Sequence, residues 1–484
     1  MAAFILAGID VAPFHGDEAT YIWMSEDLDW ILEGKTHLIR YSERPGSERR
    51  KQQARLEQGS LNTLAIGLAQ RVRGMQEVGL RAKWDWEYAT TDGERMWREN
   101  IEMGSLPGPQ LLRTARLPSA ALAAGSLVLL YLLIRLLFHS RVAAWAAVIV
   151  LGTNAMFLLH VRRAMMEGAK LFFLALALVA AAILLKKLAV NRPARYLYIL
   201  LGLCSGLALA AKHDMGLPLA GAYLALALAP VLRRLPWPTV HRNLTGLVAA
   251  SLLALAVFYA AMPIWWDWWP TILALIGAAA SLLALPPWAS RGAARVGALT
   301  AFILASLFLL SRAPSIQSDP LAPVRLMVQA RRAALDSALR KHGAAEPGRL
   351  DTLAQKGRFI AAGLLNARPN YWDTTRMDVQ ALRRQVERYE ASWLYGRGGG
   401  WMLDALVAVL AALGLWRVLS TLRPAGLFLL LLLLVPMLGI AALLPIEYQR
   451  HLLVLQLPYA MLAGLGVLQA RCALGKQFDD PLPL

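Results

Sequence analysis

Two adjacent carboxylates, Asp17 and Glu18, stand in "FHGDEATY" (residues 14–21), where an apolar start gives way to a long polar stretch. Three further groups of ionisable residues recur along the chain: Arg162, Arg163 and Glu167; Lys212, His213 and Asp214; and Glu447, Arg450 and His451. Each group lies where an apolar run begins or ends, and His15 adds an imidazole beside the first acid. Ionisable groups near a bilayer are costly unless paired or solvated, which makes them the first candidates for chemistry. A partly buried carboxylate can take a proton from a hydroxyl. Arginine suits phosphate because its planar fork donates two parallel hydrogen bonds. On this basis Arg162, Arg163, Lys212 and Arg450 are candidates for an anionic ligand, against the plainer reading that they snorkel to lipid headgroups. The plainer reading for Asp17 and Glu18 is that they cap a following helix. His15, Asp17, Glu18 and His213 could supply metal ligands, but no compact metal-binding spacing appears. No metal is expected to be required, and a divalent ion stays an open option.

These residues must be positioned by membrane-spanning elements. Of 484 residues 57% are hydrophobic, above the roughly 45–50% of soluble chains, and they are packed into runs such as "LPSAALAAGSLVLLYLLIRLLF". Runs of that length span a bilayer as helices. Spans are expected at about 118–138, 142–160, 168–189, 196–211, 215–232, 244–262, 270–288, 296–311, 401–419, 424–444 and 451–470. Residues 1–13 form an incomplete first span, so the start is expected to fall inside that helix, or the helix to be abnormally short. The expected organisation is an all-α multi-pass membrane protein of about 12 spans. Residues 14–117 form an outer loop with amphipathic surface helices and the acidic motif, and 118–311 a transmembrane core. Residues 312–400 form a small helical outer domain, and 401–484 the last spans and a cytoplasmic tail. Cys204 and Cys472 fall in separate apolar runs and offer no disulfide framework.

The net charge of +18 would suit nucleic acid, yet in a chain of this kind it marks cytoplasmic loops, and no nucleic-acid partner is expected. With residue 14 outside, the inner loops carry Arg135 and Arg141; Lys186, Lys187, Arg192 and Arg195; Arg233, Arg234 and Arg242; Arg291 and Arg295; and Arg417 and Arg423. None of those loops contains an acid. The aromatic segment "PIWWDWWP" (263–270) fits the outer membrane interface.

Four motifs carry a resemblance. "FHGDEATY" resembles the Asp-Glu motif after the first span of protein O-mannosyltransferases and related lipid-linked-sugar transferases, a superfamily that includes the aminoarabinose transferases. "VRRAMMEGAKLFF" (161–173) is similar to a second signature, with Arg162, Glu167, Phe172 and Phe173 in its places. "AKHDMGLPL" looks like the Lys-containing turn after the fifth span, and "QRHLLVLQLPYAMLAGLGV" resembles the Arg-led last helix. Two places depart from the pattern: "QGSLNTLAIGLA" stands without the His-Pro-Pro-type stretch, and Glu167 stands where Asp is common.

The resemblance implies a C-type glycosyltransferase fold and transfer of a sugar from a polyprenyl-phosphate donor to a lipid, protein or glycan acceptor on the outer face of a bacterial inner membrane. It makes Asp17 the base, Glu18 its support and Glu167 a group that positions the acceptor or Asp17. Arg162, Arg163, Lys212 and Arg450 would meet the donor phosphate, with His15, His213 and His451 as substrate contacts. One base and no nucleophile implies inversion at the sugar carbon. Two other readings remain at this point: a transporter or flippase of a lipid-linked anion, and a non-catalytic assembly subunit that kept the fold.

Overall fold

The computed structural model describes residues 1–474 except 47–48, 76–78, 89–90, 191–194, 285–318, 320–321, 342–348, 372–378, 399 and 422. The span expected at 296–311 and the tail from residue 475 lie outside the described residues. Among the described residues the chain is helical, with isolated β-bridges and no strands.

The start is a short helix α1 (Ala2–Ala7), and the first of the two segments expected on the outer face, the first outer segment, holds α2 (Gly16–Met24), α3 (Asp27–Leu32), α4 (Arg49–Glu57), α5 (Ser60–Val72) and α6 (Gly93–Glu102). The membrane core follows with α7 (Pro109–Phe138), α8 (Arg141–Gly152), α9 (Ala155–Arg162), α10 (Glu167–Ala189), α11 (Arg195–Ala211), α12 (Gly216–Leu232), α13 (Trp237–Ala261) and α14 (Trp269–Ala284). The second outer segment contributes α15 (Ala322–Lys341), α16 (Leu353–Leu365) and α17 (Gln380–Glu390). The chain returns through α18 (Trp401–Thr421), α19 (Pro424–Leu443) and α20 (Leu453–Ala473). Eight stretches among the described residues are long and apolar enough to cross a membrane, and α8 and α11 are shorter apolar helices. This is a multi-pass membrane protein.

Two expected boundaries move. Helix α7 starts at Pro109, well before the apolar run. Proline suits a first helical position, and the charges of the early turns are matched: Arg113 faces Asp10 and Arg116 grips Glu18. The single helix expected at 142–160 is broken into α8 and α9. Asn154 caps α9 by accepting the Phe157 N–H at 3.0 Å. At the break, Thr153 O accepts from Arg397 N–H at 2.5 Å, and Ala155 N–H donates to Arg397 O at 3.3 Å. A distant outer segment thus satisfies backbone groups that an unbroken helix would satisfy itself.

Helices α10 and α20 sit at the centre. Their most apolar windows are 72% and 83% buried inside the protein, against 17% for the span that contains α14. Glycines bring backbones together here, as small residues do between membrane helices. Gly168 on α10 faces the Ser119 carbonyl of α7, and Gly466 on α20 faces the Leu410 backbone of α18. In the first outer segment, Arg55 on α4 donates to both oxygens of Asp27 on α3, at 2.8 and 2.7 Å, and both residues are buried.

Candidate functional site

The acidic pair lies in the first turn of α2, not in an extended loop. His15 is the N-cap: its Nδ1 accepts the Asp17 N–H at 3.0 Å, and its own N–H donates to Glu18 Oε2 at 3.0 Å. Successive helical residues are rotated by about 100°, so the two carboxylates face different surroundings. Glu18 is fully buried. Its Oε1 accepts from Arg116 Nε at 2.8 Å and from Ala164 N–H at 2.7 Å, and its Oε2 accepts from Arg116 Nη2 at 2.8 Å. Arg116 also donates to Ile9 O and Ala12 O. Burial alone would raise the Glu18 pKa, but the charge and hydrogen bonds of Arg116, then Arg163 and the Ala164 N–H, hold it below the usual carboxylate value. With both oxygens so engaged, Glu18 ties the start of the chain to α7 and to the turn after α9. Its place is that of a positioning carboxylate paired with a basic neighbour, Arg116.

Asp17 points elsewhere and keeps some exposure. Its Oδ2 accepts from Arg450 Nη1 at 2.6 Å, and its Oδ1 accepts from Trp86 Nε1 at 3.2 Å. Arg450 stands on the 3₁₀ turn Gln449–Leu452 that leads into α20. Beneath that turn lies a knot of charge. Glu167 Oε1 is 3.4 Å from Lys212 Nζ and 3.7 Å from Lys170 Nζ. Asp214 Oδ2 lies 3.7 Å from Lys212 Nζ, 3.9 Å from Lys170 Nζ and 3.3 Å from His451 Nδ1. Lys170 also donates to the Arg450 carbonyl at 3.2 Å. The Asp17–Arg450 pair and the Glu167–Asp214–lysine knot therefore form one charged site fed by α2, α10, the turn before α12 and the turn before α20.

Several buried polar atoms in and beside this knot have no hydrogen-bond partner among the described residues: Glu167 Oε2, Asp214 Oδ1, His213 Nε2, His451 Nε2, Arg450 Nε and Tyr21 Oη. Leaving such an atom unsatisfied costs about 1–3 kcal/mol. Gathered in one place, they are groups that water or a polar ligand can satisfy. Tyr21 follows Asp17 by one helical turn. Burial, and then the negative charge of Glu167, pushes its phenol well above the usual value, so it remains an O–H donor. Lys212 is largely buried, with its side chain 12% exposed. Desolvation, and then repulsion from Lys170, lowers its ammonium to about 8. A narrow cleft lined by His15, His160, Arg163, Met165, Tyr448 and Arg450, among others, leads to this place and holds about 10 Å³, room for one water.

The other sequence candidates take separate places. Arg163 lines the cleft and donates from Nε to Pro13 O at 3.1 Å. His213 packs edge-on against Phe258. Arg162 points away from the cluster and is fully buried. It donates to Ile5 O, Phe4 O, Leu394 O and the Tyr389 hydroxyl. Its fork is thus occupied by backbone and tyrosine oxygens, which corrects the expectation that it meets a phosphate. Sequence reasoning missed Arg116, Lys170, Tyr21 and Trp86. For Lys170 a signal was present, because it lies three residues after Glu167 on an apolar helix. Among the described residues no group of three or more His, Cys, Asp or Glu is arranged to hold a metal ion. The proposed ligands are otherwise engaged, Glu18 by Arg116 and Asp17 by Arg450.

No protein-family model and no curated protein sequence matches this chain. Solved structures do. The apo oligosaccharyltransferase of Archaeoglobus fulgidus matches with a TM-score of 0.50 at 13% identity, over 98% of this chain and 50% of that one. The same organism's AglB, in complex with an inhibitory peptide and a dolichol-phosphate, gives 0.48 at 12% identity, over 98% and 50%. ArnT from Cupriavidus metallidurans, bound to undecaprenyl phosphate, gives 0.36 at 12% identity, over 96% and 76%. The chain spans half the length of the archaeal enzyme. At such identity the likeness is one of fold, and the fold is that of the C-type glycosyltransferases.

Proposed function

We propose that this protein is an integral-membrane glycosyltransferase that moves a sugar from a polyprenyl-phosphate donor to an acceptor at the extracytoplasmic face of a bacterial inner membrane. The observation that carries the reading is the position of Asp17. Its carboxylate is held by Arg450 at the rim of a cation-rich cluster in which several buried polar atoms have no hydrogen-bond partner among the described residues. That is the pairing such a reaction needs: a base next to a binding place for a phosphate leaving group.

In the proposed step the donor phosphate lies against Arg450, Lys212 and Lys170, with Arg163 at the cleft wall. Asp17 accepts the proton of an acceptor hydroxyl as its oxygen bonds to the sugar carbon. The bond from that carbon to the phosphate oxygen breaks, and the polyprenyl phosphate leaves with the electron pair. Fixed cations near the developing charge lower the barrier. A single displacement inverts the sugar carbon. Glu167 orients the two lysines, Glu18 fixes the turn that presents Asp17, and His15 caps it; His213 and His451 hold unpaired nitrogens for the substrate. The cations belong to the chain itself, so chelator-treated protein is expected to keep its turnover; activity lost to a chelator and restored by a divalent ion would refute this.

Purified protein with a radiolabelled polyprenyl-phosphate sugar and a membrane extract as acceptor source tests the reading. Label moving from the lipid donor to a second species supports it. In sealed vesicles, donor crossing the bilayer with its sugar still attached would instead establish a transporter of a lipid-linked anion. Absence of both, with donor still bound, would establish an assembly subunit.

A further inference from the structure

The outer segment builds a second cavity that the transfer scheme does not use. Helix α16, the residues that flank it on both sides and the loop before the 3₁₀ turn line an open cleft of about 780 Å³. This lies within the roughly 300–1,000 Å³ typical of small-ligand sites. Its lining carries Arg349, Arg358 and Arg368 against one acid, Glu447, among the described residues; beside it Arg349 donates to Asp351 at 2.7 Å and Arg368 lies 3.7 Å from Glu390. Phe359 gives it an apolar wall.

Its position matters as much as its charge. Asn370, Glu447 and Gln449 line both this cleft and the narrow one that ends at Arg450. The shared wall is stitched together. Gln449 Oε1 accepts the Asn370 N–H at 2.6 Å, and Gln449 Nε2 donates to Arg368 O at 3.0 Å. Leu350 N–H donates to Pro445 O at 2.8 Å. The cleft is therefore fixed to the segment that presents Arg450, one residue beyond Gln449. Glu447 at the junction repels an anion from the inner end, while the arginines attract it further out.

We propose that this cleft binds the acceptor through an anionic group, a phosphate or a carboxylate, and so directs a neighbouring hydroxyl toward Asp17. This assignment of an acceptor rests on the transferase reading; the anion site itself does not. Arginine forks match both anions, and the order of charges sets one direction of entry.

The probes are glucose 6-phosphate, glucuronic acid and glucose, each tested by saturation-transfer NMR on the purified full chain. The two acids are expected to receive saturation and glucose is not; the stronger of the two acids names the source of the charge. Arg358 and Arg368 are exposed, so the Arg358→Glu/Arg368→Glu variant is expected to fold with an unchanged melting temperature and to weaken the acids at least tenfold. Excess undecaprenyl phosphate is expected not to displace them. Glucose binding equal to the acids, undiminished binding in the folded variant, or displacement by undecaprenyl phosphate would each overturn the proposal. The probes need neither a donor nor turnover. Their failure with labelled donor still transferred sinks this cleft alone, and failed transfer with the acids still bound sinks only the transferase reading.

Discussion

At the scale of single residues, the two neighbouring acids separate into different tasks, and substitution tells them apart. Asp17→Asn keeps the shape and removes the base, so turnover is expected to fall by about 10² to 10⁴ with little change in melting temperature. A well-folded Asp17→Asn protein with near-normal transfer would sink the assignment. Glu18→Gln strands the buried Arg116 charge, which costs about 3–5 kcal/mol. The expected result is a loss of folded yield, and the double change Glu18→Leu/Arg116→Met is expected to recover part of it. Lys212 gives a pH signature. With its pKa lowered to about 8, it is charged below that value and neutral above it. Donor affinity is therefore expected to weaken as the pH rises through about 8, and Lys212→Arg, which stays charged, flattens the profile. The acids and most of the cations were visible in the sequence because charges beside apolar runs stand out. Which of Arg162 and Arg163 reaches the cleft was not visible. Adjacent residues at a helix end differ only in the side they face, and the packing of Tyr389 and the α1 backbone decides that.

At the scale of elements, glycine contacts set how closely α10 meets α7 and how closely α20 meets α18. A Cβ at Gly168 would strike the Ser119 carbonyl, and one at Gly466 would strike the Leu410 backbone. Each Gly→Ala change is expected to lower the melting temperature in detergent, since overpacking costs typically 1–3 kcal/mol. They differ in what else is lost. Gly168 adjoins Glu167 and lies two residues before Lys170, so Gly168→Ala is expected to weaken labelled-donor binding in the protein that still folds, whereas Gly466→Ala leaves it intact. Equal donor binding in both variants would show that the α7–α10 spacing does not set the site. Most membrane helices were legible as apolar runs of sufficient length. The break between α8 and α9 was not, because the Arg397 backbone that satisfies it lies far away in sequence. The early start of α7 was hidden for a similar reason. Arg113 and Arg116 read as loop charges until their acidic partners are seen.

At the scale of the whole molecule, orientation is the testable property. The basic loops predict that the turns after α7, α10 and α12 face the cytoplasm. Cys472 is an exposed native cysteine at the C-terminal end of α20, and Cys204 is buried. In intact cells an impermeant thiol reagent is expected to miss Cys472 and a cysteine placed at the exposed Pro238. In a Cys472→Ala background it is expected to label cysteines at the exposed positions Arg73 and Leu353. The opposite pattern would invert the topology and remove the case for an extracytoplasmic site. The charge asymmetry that predicts this orientation is legible in the sequence because it needs no knowledge of packing. The arrangement of the outer segments was not legible, because their short amphipathic helices acquire a place only by docking on one another and on the loop ends.

The bond between Asp17 and Arg450 joins residues 433 positions apart. A ribosome delivers them in order, so the base is threaded outside long before its cationic partner is made. Until α20 enters the bilayer, the centre of the helix bundle is missing, and Lys170 and Asp214 beneath the site lack the carbonyl and the imidazole that the last turn brings them. On the transferase reading, the nascent chain has no grip on its donor until then, and the final membrane insertion is also the expected moment of activation. A ribosome stalled before that point leaves the ionic cluster laid open.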